Sequence, residues 1–145
     1  MNLKWTSVIA FVVLILAVTG LVVRQSLLAS GTVGIAVQVL AVLLLVWARL
    51  TFGRRSFHLA ANPTPGSLVT TGPYRFLRHP IYSAFLYLIW AGVLSHLSTV
   101  NCLLALIVTT AIAVRIVAEE RLLVERYPEY GAYAARTKRV IPFVL

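Results

Sequence analysis

Long apolar runs alternate with short basic segments along this chain. From Trp5 to Val23, from Thr32 to Ala48 and from Ile81 to Val114 no side chain carries a formal charge. Trp5–Val23 is built from Val, Ile, Leu and Ala, with Trp5 at one edge as an interfacial anchor and Arg24 at the other as a snorkelling charge, and it predicts a first membrane span. After the polar turn Arg24–Ser30 and the glycines Gly31 and Gly34, a second apolar run continues through Val46 to Trp47 and Arg49 and predicts span two. The block Ile81–Val114 is too long for one crossing at about 1.5 Å per residue and too short for two generous ones. Its polar centre, Ser95 to Asn101, therefore predicts the turn of a tight helical hairpin that supplies spans three and four.

Between spans two and three, Asn62-Pro63-Thr64-Pro65-Gly66 is polar, and Thr71-Gly72-Pro73-Tyr74-Arg75-Phe76-Leu77-Arg78-His79-Pro80 is denser. Pro73 and Pro80 bias Gly72 and His79 away from helical geometry, which predicts a folded loop leading into span three. The tail continues span four as a helix over Arg115–Arg126 and is interrupted by Pro128. Tyr127, Tyr130 and Tyr133 follow at near-helical spacing among basic residues, a pattern suited to a segment lying at the membrane interface. No internal repeat or low-complexity segment is present.

Composition supports lipid as the main solvent. With 60% hydrophobic residues, 12% charged residues and a mean hydropathy of +0.91, 145 residues hold more apolar surface than one soluble core of this size could hide. The formal charge of +9 comes from 13 Lys and Arg against 4 acids, a balance that suits nucleic acid, anionic headgroups or an anionic substrate. Its confinement to the segments between and after the apolar runs points to membrane topology and away from a nucleic-acid groove. Arg49, Arg54, Arg55, Arg75 and Arg78 follow span two, and Arg121, Arg126, Arg136, Lys138 and Arg139 lie in the tail, whereas the opposite side carries only Arg24. The positive-inside tendency therefore places both termini, the long loop and the tail in the cytoplasm. Lys4, the following apolar run and Leu28-Ala29-Ser30 faintly resemble a secretory signal, but the run exceeds the roughly 7–15 residues of a signal core. The expected architecture is all-α: an integral membrane bundle of four transmembrane helices forming one domain over residues 1–145. Two N-terminal spans fill 1–50, a cytoplasmic loop 51–80, the helical hairpin 81–118, and a cytoplasmic C-terminal segment 119–145.

Cys102 is the only cysteine and lies in an apolar stretch, which excludes an intramolecular disulfide framework and a multi-cysteine zinc site. His58 and His96 have no carboxylate partner at ligand spacing, and no metal is expected. Tyr87, Trp90 and Trp47 read as packing or interface residues ahead of an aromatic cage. The chemistry concentrates elsewhere. Arg78, His79 and Tyr82 stand at the mouth of span three beside Arg75, and all the acids of the chain, Glu119, Glu120, Glu125 and Glu129, lie at the end of span four and just beyond. Hairpin geometry brings Glu119 and Glu120 to the membrane depth of Arg78 and His79. Arg115 and Glu119, four apart, can form an ordinary helical ion pair. That leaves Glu120, Arg78 and His79 unexplained, and ionisable groups at a membrane boundary are functional candidates by default.

Gly72-Pro73-Tyr74-Arg75-Phe76-Leu77-Arg78-His79-Pro80-Ile81-Tyr82, an apolar hairpin, Glu119-Glu120, and then Tyr130, Tyr133, Thr137, Arg139 and Ile141-Pro142 form an ordered series. The series resembles the isoprenylcysteine carboxyl methyltransferase family and the related phospholipid N-methyltransferases over the C-terminal half of the chain. It departs from them at Tyr127-Pro128, where the family often has Phe-Gly, and in its short N-terminal half. The resemblance implies a loop and tail closed over S-adenosylmethionine and a lipophilic acceptor that reaches the site from the bilayer. It implies a cofactor site at Gly72, Pro73, Tyr74, His79, Pro80, Tyr82, Glu119 and Glu120, with catalytic roles for Arg78 and Glu120. Glu119 or Glu120 would take the cationic part of the cofactor, His79 and Tyr82 would make polar contacts to it, and Arg78 would orient an anionic acceptor. Carboxyl O-methylation is the expected reaction and phospholipid amine N-methylation its alternative; membrane lipids are expected neighbours, and nucleic acid is not. Two further readings are a nicotinamide-dependent reductase of the sterol reductase type, which also has an Arg-His pair before a Tyr, and a non-enzymatic scaffold whose basic loops bind anionic lipid.

Overall fold

The structure, a computed structural model, describes residues 3–53 and 68–141. The Asn62–Gly66 segment, Arg54, Arg55, His58 and Pro142 lie outside the described residues. Among the described residues the architecture is helical. Helix α1 spans Leu3–Val23, α2 Thr32–Phe52, α3 Pro80–Ser95, α4 Thr99–Arg126 and α5 Tyr130–Arg136, with a short 3-10 turn at Gly72–Arg75. Three of these, α1, α2 and α4, are long and apolar enough to cross a membrane. The fourth apolar helix, α3, has 16 residues, which span about 24 Å against a hydrocarbon core of about 30 Å.

Helix limits follow local chemistry. Pro80 occupies the first turn of α3, where its missing N–H costs nothing. Ser98 caps α4 by accepting from the Asn101 backbone N–H at 3.1 Å. The expected hairpin turn over Ser95–Asn101 is tighter than its polar residues suggest, since only His96, Leu97 and Ser98 separate the two helices. Helix α4 then runs on to Arg126 as the tail sequence predicts, and Tyr127 ends it ahead of Pro128.

The arms of the hairpin meet each other less than they meet the N-terminal helices: α4 packs along α1, and α3 along α2. Ala17, Leu21, Ile89, Val93, Ala105, Val108, Ile112 and Ile116 make the shared core, while Leu16, Val33, Leu50 and other large apolar side chains face outward, as a lipid-exposed surface requires. Gly92 lets α3 approach the α1–α2 connection, because a Cβ there would stand 2.1 Å from the Leu27 carbonyl oxygen. Gln38 spans the same contact, its amide donating to the Leu27 and Leu88 carbonyls at 2.8 and 2.9 Å. At the end bearing the hairpin turn, Arg24 donates to Asn101 at 2.6 Å and Asn101 to Ser26 at 2.8 Å, tying α1 to α4.

Candidate functional site

At the other end of the bundle the tail folds back on the loop. Phe76, Arg78 and His79 exchange backbone hydrogen bonds with Lys138 and Arg139, including Arg78 N–H to the Lys138 carbonyl at 2.7 Å and His79 N–H to the Arg139 carbonyl at 3.1 Å. The Ser83 and Tyr87 hydroxyls both donate to the Val140 carbonyl, at 2.7 and 3.0 Å. These bonds fix the tail over the first turns of α3 and set Arg139 above Glu120.

Five of the residues expected in the site converge. Glu120 Oε1 lies 3.3 Å from Arg78 Nε and 3.4 Å from His79 Nε2, and Glu120 Oε2 accepts from Arg139 Nε and Nη2, both at 3.0 Å. Glu119 accepts a short hydrogen bond from the Tyr82 hydroxyl and lies 3.6 Å from Arg115 Nη2 and 3.8 Å from His79 Nδ1. The His79 ring is thus flanked by both carboxylates, one per nitrogen. Three guanidiniums face two carboxylates here, a surplus of positive charge.

Gly72, Pro73 and Tyr74 stand in the 3-10 turn, and their contacts shape the loop. Gly72 has φ +56, and a Cβ on it would meet Thr51 Oγ1 at 2.5 Å, so only glycine lets the loop start this close to α2. The Tyr74 ring lies 5.5 Å from that of Phe52, and its carbonyl accepts from the Tyr133 hydroxyl at 2.7 Å. Pro80 is buried at the start of α3.

The tyrosines of the tail are not an interfacial face. Tyr127, Tyr130 and Tyr133 are buried together with Leu68 and Leu123, because α5 turns back toward the loop after Pro128. Burial raises the Tyr74 and Tyr130 hydroxyls above their ordinary pKa and pushes Tyr133 up to about 12. The Tyr130 hydroxyl, beside Glu120, and Arg78 Nε are buried without a hydrogen bond of good geometry. Both donors stand against the Glu120 carboxylate, Arg78 Nε at the ion-pair distance of 3.3 Å.

Two groups gain weight that the sequence did not give them. Arg115 makes the helical ion pair with Glu119, and its Nη1 also donates to the Ser7 carbonyl at 3.1 Å, its Nε to the Tyr82 hydroxyl at 3.0 Å, and its guanidinium lies over the Phe11 ring. A backbone acceptor leaves no mark in a sequence, so nothing could have shown the Ser7 contact. Arg139 was one of several basic tail residues, and only its place in the ordered motif series singled it out. Among the described residues no group of three or more His, Cys, Asp or Glu could hold a metal.

The family model for phospholipid methyltransferases matches residues 27–130, from the α1–α2 connection to the start of α5. The chain belongs to the phospholipid methyltransferase family. The resemblance drawn from the ordered series of Gly72 to Tyr82, the apolar hairpin, Glu119-Glu120 and the tail is borne out at the level of the family, and the apolar helices are those of an integral membrane protein. The nickel-cobalt-cadmium resistance protein NccN of Alcaligenes xylosoxydans xylosoxydans is 32% identical over 143 residues, which cover 93% of this chain and 62% of that protein. The cobalt-zinc-cadmium resistance protein CzcN of Cupriavidus metallidurans is 35% identical over 77 residues, 52% of this chain and 36% of the relative. Methanethiol S-methyltransferase 1 of Bradyrhizobium diazoefficiens is 36% identical over 81 residues, 55% of this chain and 28% of the relative. The chain therefore spans less than two thirds of the length of each of these curated relatives. No solved structure matches it.

Proposed function

We propose that this chain is an S-adenosylmethionine-dependent membrane methyltransferase with its site on the cytoplasmic side, acting on a lipophilic, anionic acceptor, with carboxyl O-methylation as the favoured reaction. The observation that carries this reading is the convergence of Arg78, His79 and Arg139 on Glu120 beside Glu119. Both charge types that an amino-acid-bearing cofactor needs are present, and the buried Tyr130 hydroxyl stands beside the same Glu120 carboxylate. The donor set fits the cofactor.

The cofactor supplies a methyl group on a sulfonium sulfur, so neither a metal nor a covalent enzyme intermediate is needed. Catalysis then rests on alignment and on keeping water out. Glu120, held by His79, would take the cationic end of the cofactor. Glu119 is held in place by Tyr82 and Arg115, and Arg78 would orient the acceptor anion. A carboxylate acceptor is already ionised at neutral pH and needs only a cation to hold it in line; an amine must first lose a proton and is repelled by a nearby guanidinium. An open apolar groove of about 220 Å³ between α1 and α4, lined by Thr6, Ala10, Val13, Thr110 and Val114, would offer a bilayer-side approach.

A second reading takes the acceptor as a thiol. The similarity to a protein named a methanethiol S-methyltransferase favours it, and a thiolate would suit the same cationic surplus. Saturable binding of labelled S-adenosylmethionine to the purified chain in detergent tests the cofactor; a nicotinamide reductase or a lipid scaffold gives none. Methylated products from membranes with and without the protein then separate carboxylate, thiol and phospholipid amine acceptors.

A further inference from the structure

Both carboxylates of the site are already engaged by cations of the chain itself. Glu119 faces Arg115 and His79 and accepts from Tyr82, and Glu120 faces Arg78, His79 and Arg139. A ligand ammonium can reach either acid only by taking the place of one of these partners.

The partners differ in how readily they leave. Arg115 has a side chain only 6% exposed and is anchored to Ser7, Tyr82 and the Phe11 ring. Arg78 is 14% exposed and also reaches the Ala134 carbonyl at 3.5 Å. Arg139 is 52% exposed, and the side-chain contacts found for it among the described residues are with Glu120 Oε2. Its backbone is pinned, since its carbonyl accepts from His79 N–H, and the carbonyls of Lys138 and Val140 on either side are also bonded to the loop and α3. Only the Arg139 side chain must swing for Glu120 Oε2 to come free.

Resting on the cofactor reading above, we propose that Arg139 is a built-in competitor for the ligand's ammonium. Its guanidinium fills the cationic subsite at Glu120 while the site is empty and yields when the amino-acid end of the cofactor arrives. The tail therefore sets cofactor affinity by self-occupancy, and it does so only for ligands that carry an ammonium. A half-exposed ion pair is weak, so the competition is modest: its removal should tighten binding by about three- to fivefold.

The test is calorimetric titration of the full chain in detergent with two ligands: S-adenosylhomocysteine, which keeps the amino-acid end, and methylthioadenosine, which lacks it. Arg139→Gln should bind S-adenosylhomocysteine about three- to fivefold more tightly than the wild type and methylthioadenosine equally well. Arg139→Lys, which keeps a charge but not the two-pronged contact, should fall between, and carries the same expectation at smaller size if the glutamine variant does not fold. Unchanged or weakened S-adenosylhomocysteine affinity in both variants overturns the proposal, the weakened case meaning that Arg139 holds the ligand itself. An equal change for both ligands also overturns it, because the competition is specific to the ammonium. If the wild type binds neither ligand, the cofactor reading fails first and the competitor falls with it.

Discussion

Arg115, just past the middle of α4, donates to the backbone carbonyl of Ser7 on α1 at 3.1 Å. The same guanidinium reaches Glu119 and the Tyr82 hydroxyl, so one buried cation joins α1, α3 and α4 at the level of the site. Removing one partner of a buried ion pair costs about 3–5 kcal/mol because the other is left uncompensated. Arg115→Met is expected to lose stability on that scale, read as a large drop in the thermal unfolding midpoint in detergent. Arg115→Lys should lose less. An unchanged midpoint in the methionine variant would mean that Glu119 finds its stabilisation elsewhere.

Glu120 is the hub of the site, facing two guanidiniums and an imidazole. Glu120→Gln keeps the size and removes the charge. It should weaken S-adenosylmethionine binding by an order of magnitude or more, about 1.4 kcal/mol per tenfold, while helical circular dichroism is retained. If Glu119→Gln and Glu120→Gln both bind as the wild type does, the acids take no part in holding the cofactor.

Tyr133 ties α5 to the loop through the Tyr74 carbonyl, and burial pushes its hydroxyl up to about 12. Between its ordinary value near 10 and 12, the unfolded chain sheds a proton that the folded chain keeps, so stability falls as pH rises through this window. Tyr133→Phe should flatten part of that alkaline loss and cost about 1 kcal/mol below it, the typical net worth of a hydrogen bond. Ultraviolet tyrosinate absorbance, followed alongside unfolding midpoints from neutral to alkaline pH, measures both. An alkaline profile identical to the wild type would assign the loss to other groups, such as Tyr74 and Tyr130.

The basic loop and tail predict an orientation that cysteine labelling can read. In a chain with Cys102 replaced by Ala, Leu97→Cys in the α3–α4 turn and Glu129→Cys after α4 should react with a membrane-impermeant reagent from opposite sides. The tail position should label from the cytoplasm. Labelling of both from one side would overturn the four-span arrangement, because α4, the helix that separates the two positions, would then not cross.

The spans were legible because charge is expensive in lipid, so charge-free runs such as Trp5–Val23 stand out without any knowledge of contacts. Which helices pair was not. A lipid-exposed helix is apolar on its packed and free faces alike, and the marks of the α2–α3 contact, Gln38 and Gly34, are each open to blander readings. Arg78, His79, Tyr82, Glu119 and Glu120 were legible as a cluster once the hairpin was inferred, since polar groups at a membrane boundary need a reason. The return of the tail was not, because backbone bonds make it, from Phe76, Arg78 and His79 to Lys138 and Arg139. The three tail tyrosines misled for a related reason: an aromatic ring with a hydroxyl suits an interface and a buried clamp equally well.

Arg78 and His79 decide whether the acceptor is an acid or an amine. Arg78 brings a planar, forked guanidinium to the site, its Nε 3.3 Å from Glu120 Oε1 and its Nη1 3.5 Å from the Ala134 carbonyl. A carboxylate can be held by such a fork in two parallel bonds, which an ammonium cannot reproduce. Arg78→Lys is therefore expected to lose at least tenfold in kcat/KM on an anionic acceptor, with S-adenosylmethionine affinity changed far less. His79 is flanked by the carboxylates of Glu119 and Glu120, so in the anionic reading it holds the acids in place and takes no proton from the acceptor. His79→Gln should then lower the rate while leaving the shape of the pH–rate profile intact. Should that variant lose the profile's acidic limb while Arg78→Lys stays active, His79 would be the general base, and an amine acceptor would replace the anionic one.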